Sequence, residues 1–191
     1  MKRITLFLSS VIILAACNSN KKEASDADKA KTEIKTMPDN VQDMEKQKEE
    51  LTKLTPVSLE QLQGMIPETL MGATRTNFDA NAAMGAATAS AQYELNDSTS
   101  IGLTIIDCAG PGGAGIYSLQ YLSLLNIRED NEDEYTKTVD FNGGKAFENC
   151  DKTSNDCSFT YFAGGRYLVA LEGDNVSVDI LKQAADGIKL K

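Results

Sequence analysis

Cysteine is the residue type in this sequence with the widest range of chemistry. It occurs four times, at Cys17, Cys108, Cys150 and Cys157. A cysteine can carry a lipid, form a disulfide, ligate a metal or act as a nucleophile. The sequence contains no histidine. Ser-His-Asp and Cys-His catalytic sites and histidine-based zinc sites are therefore excluded, together with the commonest general base and metal ligand.

Cys17 directly follows a short apolar run near the N-terminus. Lys2 and Arg3 give a basic start, and the 13 residues 4–16 are interrupted only by one threonine and two serines. A helix that crosses a membrane needs about 20 residues, so this run is too short to span one. Its length, its basic start and the small residues before Cys17 are typical of a secretory signal peptide.

The four residues Leu14-Ala15-Ala16-Cys17 resemble the lipobox of bacterial lipoproteins. The resemblance implies that a diacylglycerol is attached to the Cys17 sulfur, that a peptidase cuts before Cys17, and that the new amino terminus is acylated, for example with palmitate. Several acyl chains hold a protein firmly on a membrane, since each buried CH₂ contributes about 0.8 kcal/mol. Asn18 follows instead of aspartate, which by the sorting pattern of enterobacterial lipoproteins implies the outer membrane.

The charge limits the partners further. The formal net charge is -9, and it falls to -11 when Lys2 and Arg3 leave with the leader. So acidic a protein is a poor nucleic-acid binder and avoids anionic lipid head groups. We therefore expect no nucleic-acid partner, and attachment to the membrane through the lipid alone. Tryptophan, the usual hot-spot residue of a binding surface, is absent.

The three remaining cysteines would lie in an oxidising compartment outside the cytoplasm. Cys150 and Cys157 flank a turn between two predicted strands, and such residues can reach the Cα separation of about 4.4–6.8 Å that a disulfide needs. We favour a Cys150–Cys157 bond, which would stabilise the fold by no more than about 2–3 kcal/mol; a bond from Cys108 to either residue would overturn this. Cys108 would then be a free thiol without a histidine to activate it, and we expect a small buried residue.

Residues 110–115, Gly-Pro-Gly-Gly-Ala-Gly, fit the G-x-G-x-x-G pattern between a predicted strand and a predicted helix. In a dinucleotide-binding domain such a loop holds a pyrophosphate at a helix N-terminus. Here a charged segment and hairpins follow instead of a second parallel strand, and the expected compartment holds little nucleotide. We interpret the glycines as a flexible strand-to-helix connection, and expect no nucleotide and no other cofactor.

Four acidic residues lie close together and could bind calcium through oxygens. They are Asp130, Glu132, Asp133 and Glu134. Their spacing matches no EF-hand loop and no glycine provides the sharp turn, so we interpret residues 128–134 as a charged, exposed loop and expect no metal site. Serines and lysines are common, but no spacing singles out a catalytic pair, so no catalytic residue is assigned.

The length and composition of the chain predict a tether followed by one domain. Residues 18–40 contain almost nothing apolar and predict a disordered tether. Residues 39–54 predict a helix whose apolar stripe covers only two turns, which favours a solvated, partly formed helix over a coiled coil. The predicted organisation is a lipoprotein signal peptide at 1–16, a lipid-anchored, partly helical tether at 17–54, and a single domain at 55–191.

Alternation of apolar and polar residues predicts six strands in that domain. They lie at about residues 87–95, 101–107, 135–141, 144–150, 157–163 and 166–172. Helices are predicted after Ser58, which forms a capping box with Gln61, from Ile116 to Leu125, and after Ser177. Because consecutive hairpins require antiparallel pairing, the predicted fold class is α+β, a mostly antiparallel sheet of about six strands with helices packed on its faces.

Two hairpin registers follow from the turns. A turn centred on Ser98 gives the expected pairs Tyr93–Leu103 and Ala91–Ile105. A two-residue turn at Asn142-Gly143 gives the expected pairs Val139–Ala146, Lys137–Glu148 and Asp140–Lys145. The second register joins two pairs of opposite charge and one apolar pair, as cross-strand neighbours prefer.

The order of these elements over residues 54–191 resembles the Mog1/PsbP-like sandwich, an antiparallel sheet between helices. That family includes binding and assembly proteins. Fold alone does not give function, so two functions are considered. The first is a membrane-anchored binding or assembly module of the cell envelope that contacts another envelope protein or a small ligand. The absence of histidine, metal-ligand clusters and nucleophile motifs favours this function over the alternative, an extracytoplasmic enzyme that uses carboxylates or a Ser/Lys pair.

Overall fold

The computed structural model describes residues 38–124 and 128–190. The chain divides into Met1–Pro38, of which only Pro38 is described, and a packed unit, Asp39–Lys191. The described residues form four helices: α1 (Pro38–Lys53), α2 (Leu59–Gln63), α3 (Gly110–Leu124) and α4 (Val178–Gly187). They also form nine strands: β1 (Thr69–Leu70), β2 (Ala73–Ala83), β3 (Ala86–Asn96), β4 (Thr99–Asp107), β5 (Arg128–Asp130), β6 (Glu134–Phe141), β7 (Gly144–Asp151), β8 (Cys157–Ala163) and β9 (Tyr167–Asp174).

All nine strands belong to one antiparallel sheet with the order β1-β2-β3-β4-β9-β8-β7-β6-β5. Two meanders, β1–β4 and β5–β9, therefore lie side by side, and β4 is hydrogen-bonded to β9 where they meet. The connection between the meanders contains α3, which follows β4 and leads towards β5 at the outer edge of the second meander. The predicted α+β class with a large antiparallel sheet is confirmed.

Successive side chains of a strand point to opposite faces of a sheet, and here both faces are covered by helices. Leu103, Leu171 and Phe159 lie fully buried on one face, in a core that includes residues of α2 and α4. We call it the α2/α4 face. On the opposite α1/α3 face, Ile106 and Leu168 pack with residues of α1 and α3. The protein therefore has three layers, with the sheet in the middle.

The short helices of the α2/α4 face form as their sequences predict. In α2, the Gln61 N–H donates to Ser58 Oγ at 3.2 Å, and the Ser58 N–H donates to Gln61 Oε1 at 2.9 Å, which confirms the capping box. In α4, Leu181, Ala184 and Ala185 are buried at a spacing of three and four residues. That spacing forms one apolar stripe, and the stripe faces the sheet.

The predicted number of six strands is wrong, because β1, β2 and β5 are also present. All three lie at the outer parts of the sheet, and most residues of β2 and all of β5 are exposed. A strand that buries neither face has no reason to alternate apolar and polar residues. The predicted charged loop at 128–134 therefore contains a strand: Arg128–Asp130 pairs with residues 135–137, although its side chains are exposed as expected.

One of the two predicted registers is wrong. In the β3–β4 hairpin, Tyr93 lies opposite Ile101, two residues from its predicted partner Leu103, and Ala91 lies opposite Leu103 instead of Ile105. The shift has two causes: the turn consists of only Asp97 and Ser98, and an irregularity between Glu94 and Asn96 precedes it. Apolar residues still face apolar residues. In the β6–β7 hairpin, all three predicted pairs are confirmed: Val139–Ala146, Lys137–Glu148 and Asp140–Lys145.

The helix predicted at residues 39–54 is present as α1, but its solvated character is wrong. Met44 is 7% exposed and Leu51 is fully buried, and both belong to the core of the α1/α3 face. Gln47 Nε2 also donates to the carbonyl of Gly165 at 2.8 Å. A two-turn apolar stripe is too short to stabilise a free helix, but tertiary packing on α3 and the sheet is sufficient.

Candidate functional site

The structure contains a disulfide between Cys150 and Cys157, the pair that the sequence favours. The two residues lie directly opposite each other in the β7–β8 pair. Cys108, at the end of β4, is fully buried, and burial raises the pKa of its thiol to about 12. The thiolate is the nucleophilic form, so Cys108 is unsuited to covalent catalysis. Cys17 lies outside the described residues.

The glycine-rich segment is not the predicted flexible connection: it is helical and forms the start of α3, which begins at Gly110 and not at Ile116. Two of its glycines lie against neighbouring backbone. A Cβ atom at Gly112 would lie 2.4 Å from the carbonyl oxygen of Met84, in the turn between β2 and β3. At Gly113 it would lie 2.5 Å from the carbonyl carbon of Cys108. These glycines therefore allow the helix to start tightly against two strand ends, which accounts for them without a nucleotide.

The acidic segment is organised by protein contacts. Lys152 Nζ forms an ion pair with Asp130 at 2.6 Å and contacts the carbonyl of Asn131. The Asn131 side chain accepts hydrogen bonds from the N–H groups of Asp133 and Glu134. Within residues 38–124 and 128–190, no group of three or more acidic or cysteine residues is arranged to hold a metal ion.

Asp107, at the end of β4, is fully buried and is the centre of a polar cluster on the sheet. Arg166 binds it through two hydrogen bonds of 2.7 and 2.8 Å, and the N–H groups of Val57 and Ala109 donate to the same carboxylate. Arg166 also donates to the carbonyl of Thr55. Burial raises the pKa of Asp107, but these hydrogen bonds and the arginine charge outweigh burial, so its pKa lies below the ordinary value.

Every strong acceptor position of Asp107 is thus occupied by a protein group, and both members of the ion pair are held in place. The cluster fastens the segment between α1 and α2 to the ends of β4 and β9. A carboxylate in this state has no free lone pair for substrate and little tendency to take up a proton. We interpret it as a structural clamp.

A second buried carboxylate, Glu148 on β7, lies beneath α4 on the α2/α4 face and is fully buried. Lys137 Nζ lies 2.9 Å from Oε2, and Lys182 of α4 contacts Oε1. Neither oxygen accepts a hydrogen bond from another group of the described residues, so the two ammonium groups provide the compensation for the buried charge. Lys182 thereby joins α4 to the strand pair β6–β7.

The chemistry of this cluster is also that of a structural contact. The hydrogen bond with Glu148 raises the pKa of Lys137, so its amine stays protonated at neutral pH. A protonated lysine cannot act as a nucleophile or as the base of a Ser/Lys pair. The sequence predicted the opposition of Lys137 and Glu148, but the contact of Lys182 was missed because nothing in one sequence places α4 over β7.

The surface that no structural role explains lies on α3. This helix contains no charged residue, and most of its residues are apolar or small. Ala114 and Tyr117 are buried against the sheet, whereas the side chains of Leu119 and Leu122 are 73% and 51% exposed. Burial shows which side of α3 faces solvent. We call Gly115, Ser118, Leu119 and Leu122 the α3 ridge.

A small apolar cavity of about 120 Å³ lies beside the ridge, between α3 and the sheet. Tyr117 and Tyr121 of α3 line it together with Phe162 and Leu168 of the sheet, and Lys145 lies at its border. The rings of Tyr117 and Phe162 are in contact, with centroids 4.6 Å apart. Burial raises the pKa of Tyr117 to about 12, so the ring carries no charge at neutral pH. The cavity thus extends the apolar character of α3 inward.

Within the part of the chain that the structure describes, no helix is long and apolar enough to cross a membrane. Comparison with curated proteins and with solved structures finds no match to this chain. The resemblance to the Mog1/PsbP-like sandwich therefore stays a prediction. The family model that describes the prokaryotic membrane lipoprotein lipid attachment site matches residues 1–18. The chain is therefore a bacterial lipoprotein of the cell envelope, anchored to a membrane by lipid.

Proposed function

We propose that this lipoprotein is an anchored binding or assembly module of the cell envelope, and that it contacts its partner through the α3 ridge. The observation that carries the proposal is the composition and exposure of α3. The helix is free of charge in a sequence with 25% charged residues, and it exposes Leu119 and Leu122. Adjacent exposed apolar side chains of this kind mark interaction surfaces.

The anchor in this proposal is a thioether at Cys17 with an acylated amino terminus, palmitate being one such acyl chain. The leader is residues 1–16, and Asn18 directs the protein to the outer membrane. Cys17→Ser removes the sulfur that would carry the lipid, so the protein should move from the membrane fraction to the soluble fraction or keep its leader. A Cys17→Ser protein that loses its leader and still fractionates with membranes would contradict the anchor.

The state of three buried ionisable groups gives the module further support. The two buried carboxylates, Asp107 and Glu148, are both held in ion pairs. The buried thiol of Cys108 has a pKa of about 12. Each of these three groups is held in an ion pair or protonated, so none is poised to act as a nucleophile or general base.

Photo-crosslinking in the cells that make the protein tests the contact. A photoreactive amino acid at the position of Leu119 should give a defined covalent adduct, because this side chain would lie inside the interface. The same amino acid at the position of Gln183 is the matched control, since Gln183 is an exposed residue of α4. Equal labelling at both positions, or none at either, would refute the α3 ridge as a docking surface.

A further inference from the structure

The α3 ridge combines two small and two large residues on one side of the helix. Gly115 and Ser118 are small, and Leu119 and Leu122 project beside them at spacings of three and four residues, which places all four on one face. A Cβ atom added to Gly115 would meet nothing within 4 Å, so the space above this residue is open. The ridge therefore has two protruding leucine side chains, the knobs, next to two shallow depressions at the small residues.

The polar group of the ridge is already satisfied. Ser118 Oγ donates to the carbonyl of Ala114 at 2.9 Å within the same helix. The hydroxyl of the neighbouring Ser123 contacts the carbonyl of Gln120 in the same way. Covering the ridge would leave neither hydroxyl without a partner, so it can be buried against an apolar surface at little cost.

Charge restricts which surfaces of two copies can meet. Residues 38–191 contain 24 acidic and 12 basic residues, whereas α3 contains none of either kind. Most contacts between two copies would therefore bring surfaces of the same sign together. The ridge is a place where two copies can approach without opposing like charges.

From these observations we infer that the partner of the α3 ridge is the α3 ridge of a second copy of this chain, an inference that rests on the proposed function. The two helices cross antiparallel about a twofold axis that passes between Ser118 and Leu119. Gly115 then packs against Leu122 of the second copy, and Ser118 packs against Leu119 of the second copy. Each knob meets a small residue, so the surface is complementary to itself, as a twofold contact requires.

The size of this contact explains why the anchor matters. Two helical turns on each side bury less than the roughly 800 Å² per partner of a stable complex, so the pair is weak in free solution. Residues 18–37 join Cys17 to α1, and 20 residues span at most about 70 Å. The anchor thus keeps every copy within about 70 Å of one membrane, which raises the effective concentration of the ridges.

Cysteine crosslinking of the full lipidated chain, reconstituted in phosphatidylethanolamine and phosphatidylglycerol vesicles, tests the register. The double variant Gly115→Cys/Leu122→Cys should form a disulfide-linked dimer on mild oxidation. Each single variant should form about tenfold less, because identical residues would lie about 10 Å apart along the axis, beyond the reach of a disulfide. Cys108 is buried and the Cys150–Cys157 bond is closed, so they do not interfere.

Three controls make the outcome decisive. Gln183→Cys on α4 should give no dimer, and equal melting temperatures show that the variants fold. Equal crosslinking of the double and single variants, or no dimer from the folded double variant, overturns the inference. If the photoreactive residue at position 119 forms an adduct with a different protein and no dimer is found, the partner is not a second copy of this chain, whereas the proposed function is unaffected. Vesicle binding of the Cys17→Ser chain that depends on Leu119, without dimers, overturns both in favour of a lipid surface.

Discussion

α3 and α4 both pack on the sheet, but only one of them has a composition that its own fold explains. α4 buries Leu181 and Ala184 in a single stripe and leaves residues such as Gln183 exposed. α3 is buried on one side as well, yet Leu119 and Leu122 remain exposed on the other. A helix that only covers a sheet needs one apolar stripe and is polar elsewhere.

This difference separates the residues that hold the fold from those that are available for function. On the α2/α4 face, the apolar stripe and the contact of Lys182 with Glu148 are both used to hold α4 in place. On the same side of the sheet, the clamp of Asp107 and Arg166 fastens the chain between α1 and α2. The outer surface of α3 takes part in neither. Substitutions that damage the fold and substitutions that damage the contact should therefore be separable.

The largest expected effect on stability comes from Asp107→Ala. It leaves the Arg166 guanidinium and the N–H groups of Val57 and Ala109 without their acceptor, and removing one partner of a buried ion pair costs about 3–5 kcal/mol. Urea unfolding measures it, with the exposed Asp97→Ala as the matched control, for which a change within about 0.5 kcal/mol is expected. A loss below about 1 kcal/mol for Asp107→Ala would mean that the clamp contributes no more than a surface pair.

The same clamp gives a pH dependence. The folded pKa of Asp107 lies below its ordinary value of 3.8, so its contribution is present above the unfolded pKa and is lost as the pH falls through the folded pKa. The stability difference between the wild type and Asp107→Ala should therefore be constant from pH 5 to 7, about the range above the unfolded pKa, and shrink below about pH 4. A difference that persists unchanged at pH 2, about two units lower, would contradict this assignment.

Leu181→Ala is expected to have the next largest effect. Leu181 is fully buried beneath α4, and truncation of such a leucine leaves a cavity that costs about 3 kcal/mol. Ile180→Ala is the matched control on the same helix, because Ile180 is 37% exposed and should lose less. Denaturant midpoints of the two variants check the prediction. Equal losses would show that α4 is not held by a single buried stripe.

Glu148→Gln should destabilise the protein by about 1–3 kcal/mol, because it removes the charge that compensates Lys137 and Lys182. Both lysines are partly exposed and can recover some hydration, which keeps the loss below that expected at Asp107. The exposed Glu172→Gln is the matched control. The hydrogen bond that Lys137 donates to Glu148 raises the folded pKa of Lys137. The contribution of this contact is therefore complete below the unfolded pKa and is lost as the pH rises through the folded value, above about pH 10.4. If the destabilisation by Glu148→Gln is unchanged above that pH, the contact between Lys137 and Glu148 is not its cause.

The two hairpins differ in how well their strand register could be predicted from the sequence. The β6–β7 register was predictable because Asn142-Gly143 fixes a two-residue turn and the charges of Lys137 and Glu148 agree with it. The β3–β4 register was not, because the two-residue turn and the irregularity after Glu94 together shift the pairing by two residues and keep apolar opposite apolar. Periodicity alone cannot distinguish two registers that differ by two residues.

For the α3 ridge, the sequence predicts the composition of the helix but not which of its side chains are exposed. The lack of charge in α3 is visible in the sequence, but the exposure of Leu119 depends on which side of the helix meets the sheet. The same limit explains α1, whose Met44 and Leu51 are buried by elements far away in the chain. Tertiary burial of a short stripe outweighs its weak local propensity, and one sequence does not show which neighbour supplies it.

The smallest effect on stability is expected for Leu119→Ala on α3. This substitution tests whether the outer surface of α3, unlike the buried stripe of α4, is dispensable for the fold. Leu119→Ala makes the same chemical change as Leu181→Ala, but at a side chain that is 73% exposed, so the free energy of unfolding should change by no more than about 0.5 kcal/mol. Alanine also has the higher helix propensity, which offsets the small loss of contact. In membranes, however, adding Leu119→Ala to the Gly115→Cys/Leu122→Cys variant should strongly reduce the disulfide-linked dimer. If Leu119→Ala destabilises the fold as much as Leu181→Ala does, the outer surface of α3 is structural, and its exposed leucines do not mark a docking surface.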